Sequence, residues 1–238
     1  MVAPFAGPGS RMSLIVLYGG TFDPVHCGHL AIASAAREAL QCEVRMLPAA
    51  DPPHRKAGAT ADQRVQMLRL ALEEARSPRD ATPPLQLDLR ELQREGRSWT
   101  VDTLHALRAE IGPQRPLALL VGSDSFHSLP EWRCWRELFD LAHFVVAQRA
   151  GSGPGQPMPA ALQDTVATRL TEDAATLRAH PAGRVFRLRQ PLRAESSTDV
   201  RHRIREGAAW RHLVPDAVAG YIEQHGLYRS PAGHPAHL

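Results

Sequence analysis

Two histidines three residues apart, His26 and His29, flank Gly28 where a short apolar run gives way to a helical pattern. The stretch reads Gly19-Gly20-Thr21-Phe22-Asp23-Pro24-Val25-His26-Cys27-Gly28-His29. It is neither a GxGxxG fingerprint nor a Walker loop, since no GKS or GKT occurs. A helix start presents backbone N–H groups without partners and a partial positive charge, and the two together attract an anion. Gly19 and Gly20 let the backbone come close to a ligand. Gly28 removes a side chain from between the imidazoles, so both rings can donate to one anionic group, and phosphate suits them. A bland alternative is a pair of satisfied structural histidines. A zinc site from His26, Cys27, His29 and the distant Cys42 is a further alternative, but it lacks a second ligand pair at metal spacing.

A second constellation is Ser196-Ser197-Thr198-Asp199-Val200-Arg201. Val200 and Ile204 lie four apart, so hydroxyls stand just before a helix, where any one of them serves as an ordinary N-cap. Three hydroxyls with Arg201 one turn on exceed what a cap needs. Together they make a second helix start able to grip phosphates, with Arg201 as a bidentate cation.

The elements that must hold these groups can be read from periodicity. Apolar runs at Leu14–Tyr18, Val44–Leu47, Leu117–Val121, Phe144–Ala147 and Val185–Leu188 read as buried strands, and Leu85–Leu89 alternates like one. The first run ends in a glycine turn at Gly19-Gly20. Helical spacing marks 29–40, 100–111, about 160–179, 198–206 and 215–225. Thr60-x-x-Gln63 forms a capping box that opens another helix, with Val65, Leu68 and Leu72 on its inner face. Short apolar strands alternating with helices predict an α/β fold: a single doubly wound parallel sheet, Rossmann-like, over residues 13–229. Residues 1–12 read as a disordered lead-in and 230–238 as a flexible tail. In such sheets ligands bind beyond the carboxyl ends of the strands at the switch point, which places the first glycine-rich connection at the site.

Composition narrows the class. The 238 residues are 43% hydrophobic and 22% charged, ordinary for a globular chain long enough to bury a core. No run of about 18 apolar residues occurs, so no membrane partner is expected. Twenty-seven arginines and one lysine, Lys56, are spread along the chain rather than clustered, which speaks against nucleic acid as a partner. Cys27, Cys42 and Cys134 form no CxxC pair and read as reduced thiols of a cytoplasmic protein.

On these residues the chain resembles the nucleotidyltransferase superfamily of small adenylyltransferases, and within it the bacterial nicotinate-nucleotide adenylyltransferase family. The resemblance rests on GGTFDPVHCGH and SSTDVR. Between them Pro52-Pro53-His54-Arg55, Asp88-x-Arg90-Glu91-Leu92, Ser98-Trp99-Thr100, Gly122-Ser123-Asp124-Ser125 and Pro130-Glu131-Trp132 follow in order, and YIEQHGLYR closes the match. It covers roughly residues 14 to 229. Glu195, before the serines, departs from the aliphatic residue of relatives, and Cys27 from a larger or polar one.

The resemblance implies transfer of AMP from ATP to nicotinate mononucleotide, giving deamido-NAD and pyrophosphate in NAD biosynthesis by direct in-line attack. It makes His26 and His29 catalytic. It assigns Gly19, Gly20, Thr21, Phe22, Ser197, Thr198, Arg201, Val121, Gly122 and Asp124 to ATP and its phosphates. Asp23, His54, Thr100, Trp132 and Arg149 are assigned to substrate binding, with Trp132 stacking on the pyridine ring and Arg149 touching the adenine or phosphates. Mg²⁺ is expected with ATP, held by phosphates and water and by no protein ligand. Competing readings are preference for nicotinamide mononucleotide, a nucleotide-binding regulator without catalysis, and an arginine-rich RNA-binding protein. Pantetheine-phosphate adenylyltransferase shares HxGH but is shorter and carries Lys where this chain has Arg201. The sequence leaves the oligomeric state open.

Overall fold

The computed structural model describes residues 13–50, 58–76, 83–94, 96–148 and 158–229. The expectations for residues 1–12 and 230–238 lie outside the described residues, as do those for His54 and Arg149. In chain order the elements are β1 (Ile15–Gly20), α1 (Cys27–Leu40), β2 (Glu43–Pro48), α2 (Ala61–Glu74), β3 (Gln86–Leu87), α3 (Thr100–Ile111), β4 (Leu117–Gly122), α4 (Ser123–His127), α5 (Leu138–Leu141), β5 (His143–Ala147), α6 (Ala160–Val166), β6 (Leu170–Thr171), α7 (Ala174–Ala179), β7 (Val185–Leu188), α8 (Ser197–Glu206) and α9 (Asp216–Gln224). The strands form one sheet in the order β3-β2-β1-β4-β5-β7-β6, with every neighbouring pair parallel. This is the expected doubly wound α/β fold. Among the described residues no helix is long and apolar enough to cross a membrane.

Alternation along the strands explains the two layers of helices. Val16 and Tyr18 of β1, with Ala118 and Leu120 of β4, face a core shared with α1, α2, α7, α8 and α9. Ile15 and Leu17, with Leu117, Leu119 and Val121, face the core built with α3, α4, α5 and α6. A strand covered on both faces has no use for polar residues, hence the unbroken apolar runs. From β1 the chain works outward through β2 to one edge, and from β4 outward to the other. The carboxyl ends of β1 and β4 therefore bound the switch-point crevice.

Four local expectations change. Gly19 and Gly20 are not a turn: they remain in β1, because Leu47 and Pro48 of β2 run alongside them. The strand expected over Leu85–Leu89 shrinks to β3, since Asp88 takes the Arg90 N–H at 3.1 Å and turns the chain out of the ladder. The helix expected from about 160 to 179 is split into α6 and α7. Leu170 and Thr171 pair with Val185 and Phe186, and Asp173 restarts the helix by accepting from the Ala175 N–H at 2.8 Å. Finally, the inner face of α2 holds Arg64, Met67, Leu68, Ala71 and Leu72, and Val65 is only half-buried. The Thr60–Gln63 capping box forms as its spacing requires, at 3.2 and 2.9 Å.

Candidate active site

A cavity of about 550 Å³ opens at the switch point. Its walls include Tyr18, Gly19 and Gly20 from β1 and Leu119 to Gly122 from β4. His26 is the residue before α1, in extended conformation, and is 3% exposed; His29 sits in the first turn and is half-buried. Both line the cavity. Their rings stack, 3.6 Å between centroids and 30° between planes. The backbone N–H of His26 donates to Nδ1 of His29 at 3.2 Å. A neutral imidazole that accepts at Nδ1 carries its proton on Nε2, so the helix start fixes His29 as an Nε2–H donor.

Gly28 and Gly20 also make room for the rings beside them. A Cβ on Gly28 would lie 3.0 Å from Nδ1 of His26 and 3.1 Å from its Cε1. A Cβ on Gly20 would lie 2.9 Å from the Phe22 ring. Phe22, with φ of 49°, occupies the left-handed region that a bulky residue seldom enters, and folds its ring back over Gly20. The ring is 1% exposed and meets His29 edge-on at 5.0 Å, so it braces the imidazole from behind rather than forming the wall.

Asp23, expected to bind substrate, does not line the cavity. It is 3% exposed, and its carboxylate accepts from the Gly58 N–H at 2.6 Å, the Ala59 N–H at 3.1 Å and the Tyr228 hydroxyl at 2.7 Å. Burial and the Asp23 carboxylate push the Tyr228 phenol upward, which keeps it a donor. Arg64 lies close enough to feel Asp23, and its guanidinium reaches the Thr21 carbonyl at 2.8 Å and that of Ala50 at 3.2 Å. Burial pulls the Arg64 guanidinium below its ordinary value, and Asp23 opposes that shift. The sequence reading missed Arg64. Its signal was an arginine at a position of α2 whose neighbours at +3, +4, +7 and +8 are all apolar.

The second constellation meets the first. Ser196 caps α8, accepting from the Asp199 N–H at 3.1 Å. Ser197 Oγ donates to the Pro24 carbonyl at 2.9 Å, and Arg201 Nη1 donates to the Asp23 carbonyl at 2.5 Å. Arg201 Nη2 lies 3.4 Å from the Thr198 hydroxyl. The α8 start thus grips the backbone just before His26, and Ser197, Thr198 and Arg201 stand beside the cavity rather than among its lining residues. Arg193 and Glu195, one step earlier in the chain, do line it.

From the other face of the sheet come Trp99, Thr100, Trp132 and Arg133. Thr100 is the first residue of α3, whose N–H groups open there. Trp99 and Trp132 are half-buried against the α3–α6 core, whereas Trp135 is the tryptophan that fills it. The Arg133 guanidinium lies 5.8 Å over the Trp99 ring. Of the expected site residues, Gly19, Gly20, Thr21, His26, His29, Thr100, Val121, Gly122, Asp124 and Trp132 share the cavity wall. The thiols show no ligand set. Cys42 is buried in the core, where burial pushes it up to about 12, and Cys27 is also raised by burial. Among the described residues no three metal-ligating side chains converge.

Comparison with known proteins bears on this arrangement. A cytidylyltransferase-like family model matches residues 17–203. The "Probable nicotinate-nucleotide adenylyltransferase" of Stenotrophomonas maltophilia is 55% identical, over 92% of this chain and 99% of its own length. The chain belongs to the nicotinate-nucleotide adenylyltransferase family. A second member so named, from Marinobacter nauticus, is 44% identical over 90% of this chain and 95% of its own. Among solved structures, Plasmodium falciparum nicotinic acid mononucleotide adenylyltransferase complexed with NaAD superposes with a TM-score of 0.68. It is 17% identical and the match covers 91% of this chain and 97% of that one, a likeness of fold. The protein is therefore a nucleotidyltransferase enzyme of NAD biosynthesis, a nicotinate-nucleotide adenylyltransferase by family.

Proposed function

We propose that the protein joins ATP and nicotinate mononucleotide across the switch-point cavity, forming deamido-NAD and pyrophosphate. The observation that carries this reading is the stacked imidazole pair at the start of α1, opening on a cavity whose other wall is aromatic. A 5′-phosphate oxygen of the mononucleotide attacks the α-phosphorus of ATP. The new P–O bond forms as the bond to the β-phosphate oxygen breaks, and pyrophosphate leaves with the electron pair. A phosphate is already a nucleophile near pH 7, so neither a general base nor a covalent intermediate is required. Catalysis is positioning and charge stabilisation.

In this scheme His29 donates Nε2–H, and His26 its imidazole, to the α-phosphate oxygens as charge builds on them. Gly19, Gly20 and Thr21 supply close backbone. Val121, Gly122 and Asp124 receive the adenosine. Trp132 stacks on the pyridine ring, and the N–H groups at Thr100 meet its carboxylate. Ser197, Thr198 and Arg201 hold the leaving phosphates if the nucleotide draws Ser197 from Pro24 and Arg201 from Asp23. Mg²⁺ supplies charge neutralisation when bound. The residues present fit an ion carried by the phosphates and water, with Glu195 the carboxylate beside the imidazoles. The reduced thiols accord with a cytoplasmic setting.

The test is to incubate the protein with Mg-ATP and either nicotinate or nicotinamide mononucleotide, and to measure pyrophosphate and dinucleotide. Deamido-NAD formation, faster than NAD formation, is expected. Absence of product with both substrates overturns the reading.

A further inference from the structure

Arg201, the cation that the sequence assigns to the phosphates, is engaged with the Asp23 carbonyl and Thr198. Among the described residues, the guanidinium groups on the cavity wall belong to Arg133 and Arg193. Arg133 stands with Trp99 and 3.7 Å from Asp102. Arg193 lines the same cavity as the imidazoles and stands with Glu195: its Nη2 lies 2.7 Å from Oε1 of that residue. The Glu195 Oε2 lies 3.5 Å from the point where a Gly28 Cβ would sit, and His26 Nδ1 lies 3.0 Å from that same point. The Glu195 side chain is 14% exposed and that of Arg193 41%.

A carboxylate beside a seat for polyphosphate is costly unless a cation accompanies it. Here the cation is present at 2.7 Å, and a guanidinium offers five N–H donors in a fixed fork. We propose that Arg193 is a phosphate-binding residue for the polyphosphate tail of the nucleotide, and that Glu195 is its positioning counter-ion, holding the guanidinium beside His26. This rests on the reading that the cavity takes ATP. Glu195 thereby gains a role: it orients Arg193, and it becomes a repulsive charge only when Arg193 is missing.

The experiment is equilibrium binding of a non-hydrolysable ATP analogue and of AMP to the full chain. Arg193→Ala is expected to weaken the analogue about 10-fold or more and to leave AMP within about 2-fold, because AMP lacks the β- and γ-phosphates. Glu195→Gln alone is expected to stay within about 3-fold. The double variant is expected to bind the analogue better than Arg193→Ala, since the stranded carboxylate is gone. Arg193→Lys should restore part of the loss. Arg189→Ala, which removes the same charge from a residue that is 87% exposed and paired with Glu172 off the cavity, should leave binding unchanged. Parent-like analogue binding by Arg193→Ala, an equal loss for AMP, or a double variant no better than the single one would each overturn the proposal. A parent protein that binds the analogue through Arg193 but forms no dinucleotide would leave this inference standing and remove the proposed function. Dinucleotide formation with unaltered binding by Arg193→Ala would do the reverse.

Discussion

The two ends of the sheet put the same residue types to different use. At the amino end, arginine and histidine side chains are spent on the backbone. Arg108 donates to Leu141 at 2.8 Å, Arg115 at 2.6 Å, Gly112 at 3.2 Å and Pro181 at 2.8 Å. Arg178 donates to Leu40 at 2.8 Å, and His143 bridges the His180 carbonyl and the Arg184 N–H, both at 2.9 Å. At the carboxyl end Arg64 and Arg201 likewise hold carbonyls, but His26, His29, Arg133 and Arg193 stand on the wall of an open cavity. An arginine or histidine is a structural clamp where the backbone has used its donors, and a candidate ligand group where they face open space. The loop between β1 and α1 and the helix turn that follows show both within a few residues: Asp23 is a buried hub, and His29 is a donor.

That contrast can be broken by substitution. The largest effect is expected for Arg108→Ala, which strands several carbonyls at the amino end. It should cost about 3–5 kcal/mol of stability by urea unfolding, while turnover per folded molecule changes less than about 2-fold. His29→Ala should show the converse: turnover down by about 10²-fold or more, with stability within about 1 kcal/mol. Near-normal turnover would make His29 a clamp like Arg108.

The third effect is on pH dependence. Burial lowers the His143 pKa from 6.5 to about 4. The unfolded chain therefore takes up this proton before the folded one does. The contribution is complete above about pH 6.5 and is lost as pH falls toward 4, reaching about 2–3 kcal/mol by pH 4.5. Urea midpoints measured between pH 7 and 4.5 check it, with a flatter slope expected in a His143→Gln variant. The smallest effect is expected for Gly28→Ala, which pushes on the His26 ring and should lower turnover about 10-fold with little loss of stability.

Much of this was legible in the residues. Unbroken apolar strands announced a sheet covered on both faces, and the i, i+3 histidines around Gly28 announced the helix start at its switch point. What escaped was long-range. Nothing local says that Phe22 folds over Gly20, that Asp23 gathers Gly58, Ala59 and Tyr228 from distant segments, or that Arg201 turns to a carbonyl 178 positions earlier. A hydroxyl-arginine cluster before a helix carries the same pattern whether it grips a ligand or a loop. The split of the helix expected at 160–179 was equally hidden, because two-residue β6 depends on a partner strand 15 residues on.

The convergence of the imidazoles and the α8 side on one nucleotide tail is tested most directly by a crystal structure with Mg²⁺ and a non-hydrolysable ATP analogue. The α-phosphate should lie within hydrogen-bond reach of His29 Nε2, with the tail running toward Arg193 and Ser197. A tail seated instead against Trp99 and Trp132, with both imidazoles untouched, would contradict the account.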